Sequence, residues 1–312
     1  MQMKSFSIKM DDGYELFLNR WQPDSDVEIK GVIQLHHGLA EHCLRYDRFG
    51  SVLAENGWVL NAYDMRGHGR SAENADKNGT GIFGKIADKK GFDRVVNDLK
   101  AVTDNLKKDF PGKKTVLFGH SFGSFVAQGF IEEFGSEIDA CILCGTAGPR
   151  RALIKSGSIV AHIVSFFTGK NKISQFLSDL AFGNYNDRIT NKRTDFDWLS
   201  ANELNVDMYQ MDNWCGIPLT SSFFCSLFEG LDKIHKNKNI KKIPEKLPVY
   251  MIWGAEDPVG SYGKTIRKLA QIYASNGILV DTKEYPGVRH EILNDNDKET
   301  VENDILSWIS KI

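Results

Sequence analysis

Gly119-His120-Ser121-Phe122-Gly123 carries the pattern Gly-x-Ser-x-Gly. The pattern alone is a weak signal, because chance supplies it readily. Its setting gives it meaning. Thr115–Phe118 reads as a short buried strand, and Ser121–Phe134 as a helix closed by Gly135. A serine at a tight strand-to-helix turn projects its hydroxyl above the first N–H groups of the helix. A serine hydroxyl is a weak nucleophile at neutral pH and needs a base. His290 is the only histidine after His235, and it follows the last predicted strand. Asp257 lies in Gly254-Ala255-Glu256-Asp257-Pro258, just past the predicted strand Val249–Trp253. Ser121, Asp257 and His290 thus stand in the chain order nucleophile, acid, base. Glu256 is the competing acid. The oxyanion of acyl transfer needs two backbone N–H donors. Phe122, next to the nucleophile, supplies one. Leu39, in the His37-Gly38-Leu39 loop, is the candidate for the other. His36, His37, His42, His68 and His120 flank the same loops and read as structural or positioning groups.

The elements around these residues alternate. Asp11-Asp12-Gly13 separates Ser5–Lys9 from Leu16–Trp21, a hairpin signal. Gly31–His36 is an apolar strand, Tyr46–Asn56 a helix ending at Gly57, and Trp58–Tyr63 a strand running into a glycine-rich turn at Asp64–Ser71. Phe92–Asp109 has helical apolar spacing and stops at Pro111-Gly112, and Ile138–Cys144 is another strand. Strands alternating with helices imply an α/β fold, a mostly parallel sheet covered on both faces. The pattern breaks from 148 to 246, where helical segments follow one another without a strand. It resumes with Val249–Trp253, a helix over Tyr262–Ser275, a strand over Thr282–Tyr285 and a helix over Thr300–Lys311. The expected organisation is a core of 1–147 and 247–312 with a helical cap, 148–246, inserted in it.

Composition sets the bounds. The chain has 312 residues, 41% hydrophobic and 26% charged, which excludes wholesale disorder. Thirty-nine basic and 41 acidic residues leave a net charge of −2, so no nucleic-acid partner is expected. No apolar run approaches the ~20 residues of a membrane span. The first residues lack the apolar stretch of a secretory signal. Five cysteines, sparse and odd in number, argue for a reducing cytoplasm. Cys141 and Cys144 form a Cys-x-x-Cys, but residues three apart on a strand point to opposite faces and are not expected to pair. No spacing of a metal site or dinucleotide loop is found, and no cofactor is expected.

Together these stretches resemble the monoacylglycerol lipase and lysophospholipase group of α/β-hydrolases. The likeness rests on His37-Gly38-Leu39-Ala40-Glu41-His42 with Arg45-Tyr46 and on Asp64-x-Arg66-Gly67-His68-Gly69-x-Ser71. Gly119–Gly123, Gly254–Asp257 and Arg289-His290-Glu291 complete it. It spans nearly the whole core, from about residue 30 to 312. The resemblance implies an α/β-hydrolase fold and a small-molecule lipid ester as substrate. It also implies that Glu41 and Arg45 line the polar, glycerol-binding end of the pocket; a salt bridge within their loop is compatible with that role. Leu293 stands where animal-type monoacylglycerol lipases carry a second histidine, and Arg289–Asn294 is more similar to the bacterial members. Ile159–Phe167 and Ile217–Phe228 in the cap are rich in large apolar residues, suited to an acyl tunnel, to a peripheral membrane contact or to packing on the core. The lysines between Lys233 and Lys246 read as a solvated face. Alternatives are a lysophospholipase or broad carboxylesterase with the same triad, a peptidase, and a non-catalytic ligand-binding protein. Proline-specific aminopeptidases of this fold show Gly-Gly-Pro after the loop histidine, and His37-Gly38-Leu39-Ala40 lacks it. The oligomeric state leaves no mark in the sequence.

Overall fold

The computed structural model describes residues 1–312. Eight strands form one sheet: β1 (Gln2–Lys9), β2 (Glu15–Gln22), β3 (Gly31–His36), β4 (Trp58–Tyr63), β5 (Lys114–His120), β6 (Ala140–Cys144), β7 (Pro248–Gly254) and β8 (Leu279–Tyr285). Their spatial order is β1-β2-β4-β3-β5-β6-β7-β8. The hairpin partners β1 and β2 run antiparallel, and β2 is antiparallel to β4. All strands from β3 onward pair in parallel. Chain order reverses at β3, so β3 and β5 lie side by side with their C-terminal ends together. Such a reversal opens a crevice where loops meet.

The helices are α1 (Asp47–Glu55), α2 (Gly69–Lys77), α3 (Gly91–Asp109), α4 (Phe122–Phe134), α5 (Arg151–Thr168), α6 (Gln175–Phe182), α7 (Glu203–Met211), α8 (Ser221–Ile234), α9 (Asn237–Ile240), α10 (Lys264–Ser275) and α11 (Lys298–Ile309). The central strands are buried on both faces and divide two cores by alternation. Val116, Phe118, Ile142, Tyr250 and Ile252 face the core closed by α1 and α11. Leu117, Leu143, Val249 and Met251 face the core closed by α3, α4 and α10. Cys141 lies in one core and Cys144 in the other, and all five cysteines are free.

Between β6 and β7 the only sheet-like pairing is one bridge, Ile173 with Thr220. The stretch holds α5 to α9 and a short 3-10 turn, Asp197–Leu199. Helix α8 ties it to the core. Phe223 and Phe224 are fully buried, and the Phe223 ring packs against Phe122 with centroids 5.4 Å apart. In turn α5 lies on α8, where Gly157 leaves room for the Phe228 ring. The apolar residues of Ile217–Phe228 therefore pack inward, whereas Ile159, Ile163, Phe166 and Phe167 of α5 stay exposed. Of the predicted lysine face, Lys233 is engaged by Asp93 and Glu133, each 2.6 Å away.

Strands β1 and β8 each begin three residues earlier than the sequence reading places them, and two further departures have a local cause. The glycine-rich turn after β4 continues into α2, where the Asp64 carboxylate, from before the helix, accepts the otherwise unpaired Arg70 N–H of its first turn at 2.8 Å. The helix before β8 starts at Lys264 and not Tyr262, since Ser261 and Tyr262 take positive φ angles of 51° and 56°.

Candidate active site

Strand β5 ends at His120 and α4 begins at Phe122, so Ser121 is the whole turn between them. Its φ of 51° and ψ of −119° are strained for a residue with a side chain. The turn closes only because Gly119 and Gly123 carry no Cβ. A methyl on Gly119 would strike the backbone of Gly123, and one on Gly123 the carbonyls of His36 and His37. Ser121 N–H is anchored to the Cys144 carbonyl at 2.9 Å.

Asp257 is fully buried in the loop after β7. Its Oδ1 accepts from the Val259 N–H at 2.8 Å and its Oδ2 lies 2.9 Å from His290 Nδ1. A carboxylate only accepts, so Nδ1 carries the proton and Nε2 keeps its lone pair. Nε2 is buried and bonds no protein atom. Glu256, the competing acid, is exposed. Burial disfavours a charge on His290, but Asp257, with Glu291 and Glu41 behind it, outweighs burial and holds the imidazole above the usual 6.5. The ring lies between His120, with centroids 4.8 Å apart, and Trp198 of the 3-10 turn, 5.0 Å away. Gly145, at φ +57°, leaves space for both histidine rings.

The loop after β3 is fastened peptide by peptide. His37 Nε2 accepts from the Met65 N–H at 3.0 Å, which leaves Nδ1 as the donor to the Gly38 carbonyl, 2.6 Å away. The Gly38–Leu39 peptide is trans, as no cis bond occurs in the chain. Holding the Gly38 carbonyl therefore aims the Leu39 N–H the opposite way. Gly38 N–H donates to Glu41 Oε1 at 2.5 Å. A Cβ on Gly38 would crowd Glu41 and Ser121 alike. Neither Leu39 N–H nor Phe122 N–H has a protein acceptor, and both residues line the cavity with Ser121 and His290.

Glu41 and Arg45 differ from the expectation of a paired head-group site. Glu41 reaches the cavity wall, but Arg45 does not. Arg45 is largely buried, and both of its terminal nitrogens are engaged. It donates to Glu41 Oε2 at 2.9 Å, to both oxygens of Glu291 and to Asn205 Oδ1 at 3.1 Å. Its guanidinium also lies over the Tyr209 ring. Tyr46 donates to Glu41 Oε1 at 2.9 Å, so both oxygens of Glu41 are engaged. Burial pushes both carboxylates up. The two-point grip of Arg45 brings Glu291 below the ordinary range, and Glu41 stays raised. The loop salt bridge is thus the observed arrangement. Glu291 and Asn205 completing it, and Trp198 against His290, had no reading in the sequence. Glu291 adjoins His290 and could have been found by that position; Asn205 and Trp198 carry no pattern.

The other histidines of these loops, His36, His37, His42, His68 and His120, are buried supports, and His162 is exposed on α5. Burial lowers His36 and His68 to about 4 and His37 further. The cavity measures about 1090 Å³, the upper end of ligand-pocket sizes. Its deep wall is apolar, including Phe125, Ile154, Val160, Leu227 and Phe228. Gln175, Asp179, Lys192 and Arg193 make part of the rim polar.

A family model described as "Serine aminopeptidase, S33" matches residues 27–297. The chain belongs to this family. Among curated proteins, the hydrolase is similar to a monoacylglycerol lipase of Mycolicibacterium smegmatis, 24% identical over 299 residues, covering 95% of this chain and 93% of that protein. It is also 24% identical to the human monoglyceride lipase over 311 residues, covering 96% and 88%. Among solved structures, a thermostable carboxyl esterase from Bacillus coagulans in complex with glycerol superposes with a TM-score of 0.91 at 27% identity, covering 100% of this chain and 99% of that one. The fold is that of the α/β-hydrolases.

The buried network makes a stability prediction. Arg45→Ala leaves Glu41 and Glu291 buried without a counter-charge. It should cost about 3–5 kcal/mol, read as a lowered midpoint in urea unfolding, and an unchanged midpoint would refute the network's role.

Proposed function

We propose that the protein hydrolyses carboxylic esters of single-chain lipids, foremost monoacylglycerols, through an acyl-enzyme on Ser121. The carrying observation is a convergence on one cavity: a strained serine, a buried His290 with a free Nε2 and an Asp257 partner, and two unengaged N–H donors. Ser121 attacks the ester carbonyl while His290 Nε2 takes its proton. Asp257 holds the tautomer and stabilises the imidazolium. The Leu39 and Phe122 amides receive the oxyanion. His290 then protonates the departing alcohol and activates the water that frees the acid. Glu41 and Arg45 serve substrate binding through the loop they hold.

Ester hydrolysis is the activity in the names of the relatives that match along nearly the whole chain. The glycerol held by the structural neighbour supports glycerol as the leaving alcohol. An aminopeptidase, as the family description has it, needs a free carboxylate for the substrate's ammonium. Of the four carboxylates that line the cavity, Glu41 and Glu291 are already spent on Arg45, and the other two, Asp179 and Asp195, belong to the polar rim. Residues 148–246 form the cap, and five free cysteines suit a reducing cytoplasm. No helix is long and apolar enough to cross a membrane. Ile159, Ile163, Phe166 and Phe167 nonetheless form one exposed stripe on α5, with Phe166 81% exposed. In this reading that stripe rests on a lipid surface and admits substrate from it.

Three outcomes are expected. A fluorophosphonate probe labels the wild type and not Ser121→Ala. Fatty acid is released faster from a long-chain monoacylglycerol than from a lysophosphatidylcholine of the same chain. The reverse preference reassigns the enzyme as a lysophospholipase, activity on short soluble esters alone makes it a broad carboxylesterase, and equal rates in Ser121→Ala exclude this nucleophile. Second, His290 must be neutral to act as base. Its raised pKa places the acid limb of kcat/KM above pH 6.5. Glu291→Gln removes a nearby negative charge and moves that limb to lower pH; a limb that stays put removes Glu291 from the electrostatics of the base. Third, Phe166→Ser with Phe167→Ser should reduce co-sedimentation with phosphatidylglycerol vesicles and leave hydrolysis of a soluble ester unchanged. Undiminished co-sedimentation removes the stripe from any membrane role.

A further inference from the structure

Asp212 and Cys215 begin and end a turn, closed by the Cys215 N–H donating to the Asp212 carbonyl at 3.0 Å. The turn sets a carboxylate and a thiol side by side. The fold then lays His42 on them from 170 positions earlier, with Nε2 2.8 Å from Asp212 Oδ2. One ligand atom from each of His42, Asp212 and Cys215 lies within 4.8 Å of the other two. The group is pre-oriented. Asp212 Oδ1 is held by the Trp214 N–H at 2.8 Å, which leaves Oδ2 presented. The Trp214 ring packs edge-on against His42, with centroids 5.2 Å apart. His42 is buried, and its Nδ1 bonds no protein atom.

We propose that His42, Asp212 and Cys215 form a binding site for one zinc ion, with water in the fourth position. One nitrogen, one oxygen and one sulfur suit a borderline ion, whereas calcium and magnesium seek oxygen alone. Zinc sits about 2.0–2.3 Å from such ligands, so only small side-chain rotations separate the present positions from coordination. Binding releases the Cys215 thiol proton to solvent, and the proton that His42 Nε2 donates to Asp212 moves to the unpartnered Nδ1, which frees the Nε2 lone pair for the metal. Carboxylate and thiolate together balance the ion's two charges. The neighbouring Arg45 adds no net repulsion, because Glu41 and Glu291 already neutralise it. The site does not involve Ser121, and it joins the turn at residues 212–216 to the loop that carries Leu39. That junction already exists: Gly216 N–H and Tyr209 Oη–H both donate to the Ala40 carbonyl, at 2.9 and 2.8 Å.

Cobalt(II) is the probe, titrated into the full-length protein in chelator-free buffer. The wild type should take one equivalent, with the visible bands of a tetrahedral ion and a near-ultraviolet thiolate charge-transfer band, both bleached by zinc. Cys215→Ala should lose the charge-transfer band and bind zinc at least about tenfold more weakly. Asp212→Asn should also weaken binding, and it stands in if Cys215→Ala melts abnormally. Cys225→Ala and Ser121→Ala should titrate like the wild type, so the result is independent of the catalytic reading. No charge-transfer band in the wild type, or one that persists in Cys215→Ala, overturns the site.

Discussion

Three separate pieces of chain meet at one guanidinium. Arg45 holds Glu41 from the loop after β3, Glu291 from the loop after β8, and Asn205 from the cap. A buried cation with two carboxylates is costly to desolvate, so it adds little stability over an apolar filling. Its value is geometric. Each carboxylate is also tied to a segment of the candidate site: Glu41 pins the Gly38 N–H, and Glu291 is the chain neighbour of His290. With Arg45 in place, the loop that carries Leu39 and the loop that carries His290 share one rigid reference. The surplus negative charge also leans on His290 from behind, in the same direction as Asp257.

The same economy appears in the loop after β3. His37 is neutral because burial forbids its charge, and neutrality lets one ring accept from Met65 and donate to Gly38. A protonated His37 would lose the first bond and let the Gly38–Leu39 peptide turn. Farther out, Asp64 accepts from both Cys43 and Arg70, and Arg66 is paired with Asp98. The Asp-x-Arg-Gly-His-Gly stretch is therefore a fastening behind the active loops and does not reach the cavity.

Much of this was legible in the sequence, because it is local. The strand–Ser–helix turn is encoded by Gly119 and Gly123 within five residues, and the sheet by apolar runs of strand length. Cys141 and Cys144 could be separated by strand alternation alone. Asp257 could be preferred to Glu256 but not proved, since burial decides between adjacent carboxyls and sequence does not report burial. Arg45 was assigned to the pocket wall by resemblance, and it lies behind it. Its partners Glu291 and Asn205 are 246 and 160 residues away. His42, Asp212 and Cys215 escaped for the same reason: two lie in a four-residue turn, the third on the far side of the chain.

The helical stretch between β6 and β7 is attached unevenly. Residues 197–216 are stitched to the catalytic loops: Arg289 donates to the carbonyls of Asp197 and Ser200, Glu291 N–H to that of Leu199, and Gly216 N–H to that of Ala40. Residues 151–182 make no hydrogen bond to the loops bearing Leu39, Asp257 or His290; they rest on α8 and its approach. The first stretch thus shares its backbone bonds with those loops, and the second reaches the cavity by packing alone. Helices α5 and α6 line the cavity yet reach the loops beneath only through Arg150, just ahead of α5, which donates to the Val259 carbonyl, so substitutions along them reshape the cavity wall and leave Ser121, Asp257 and His290 in place.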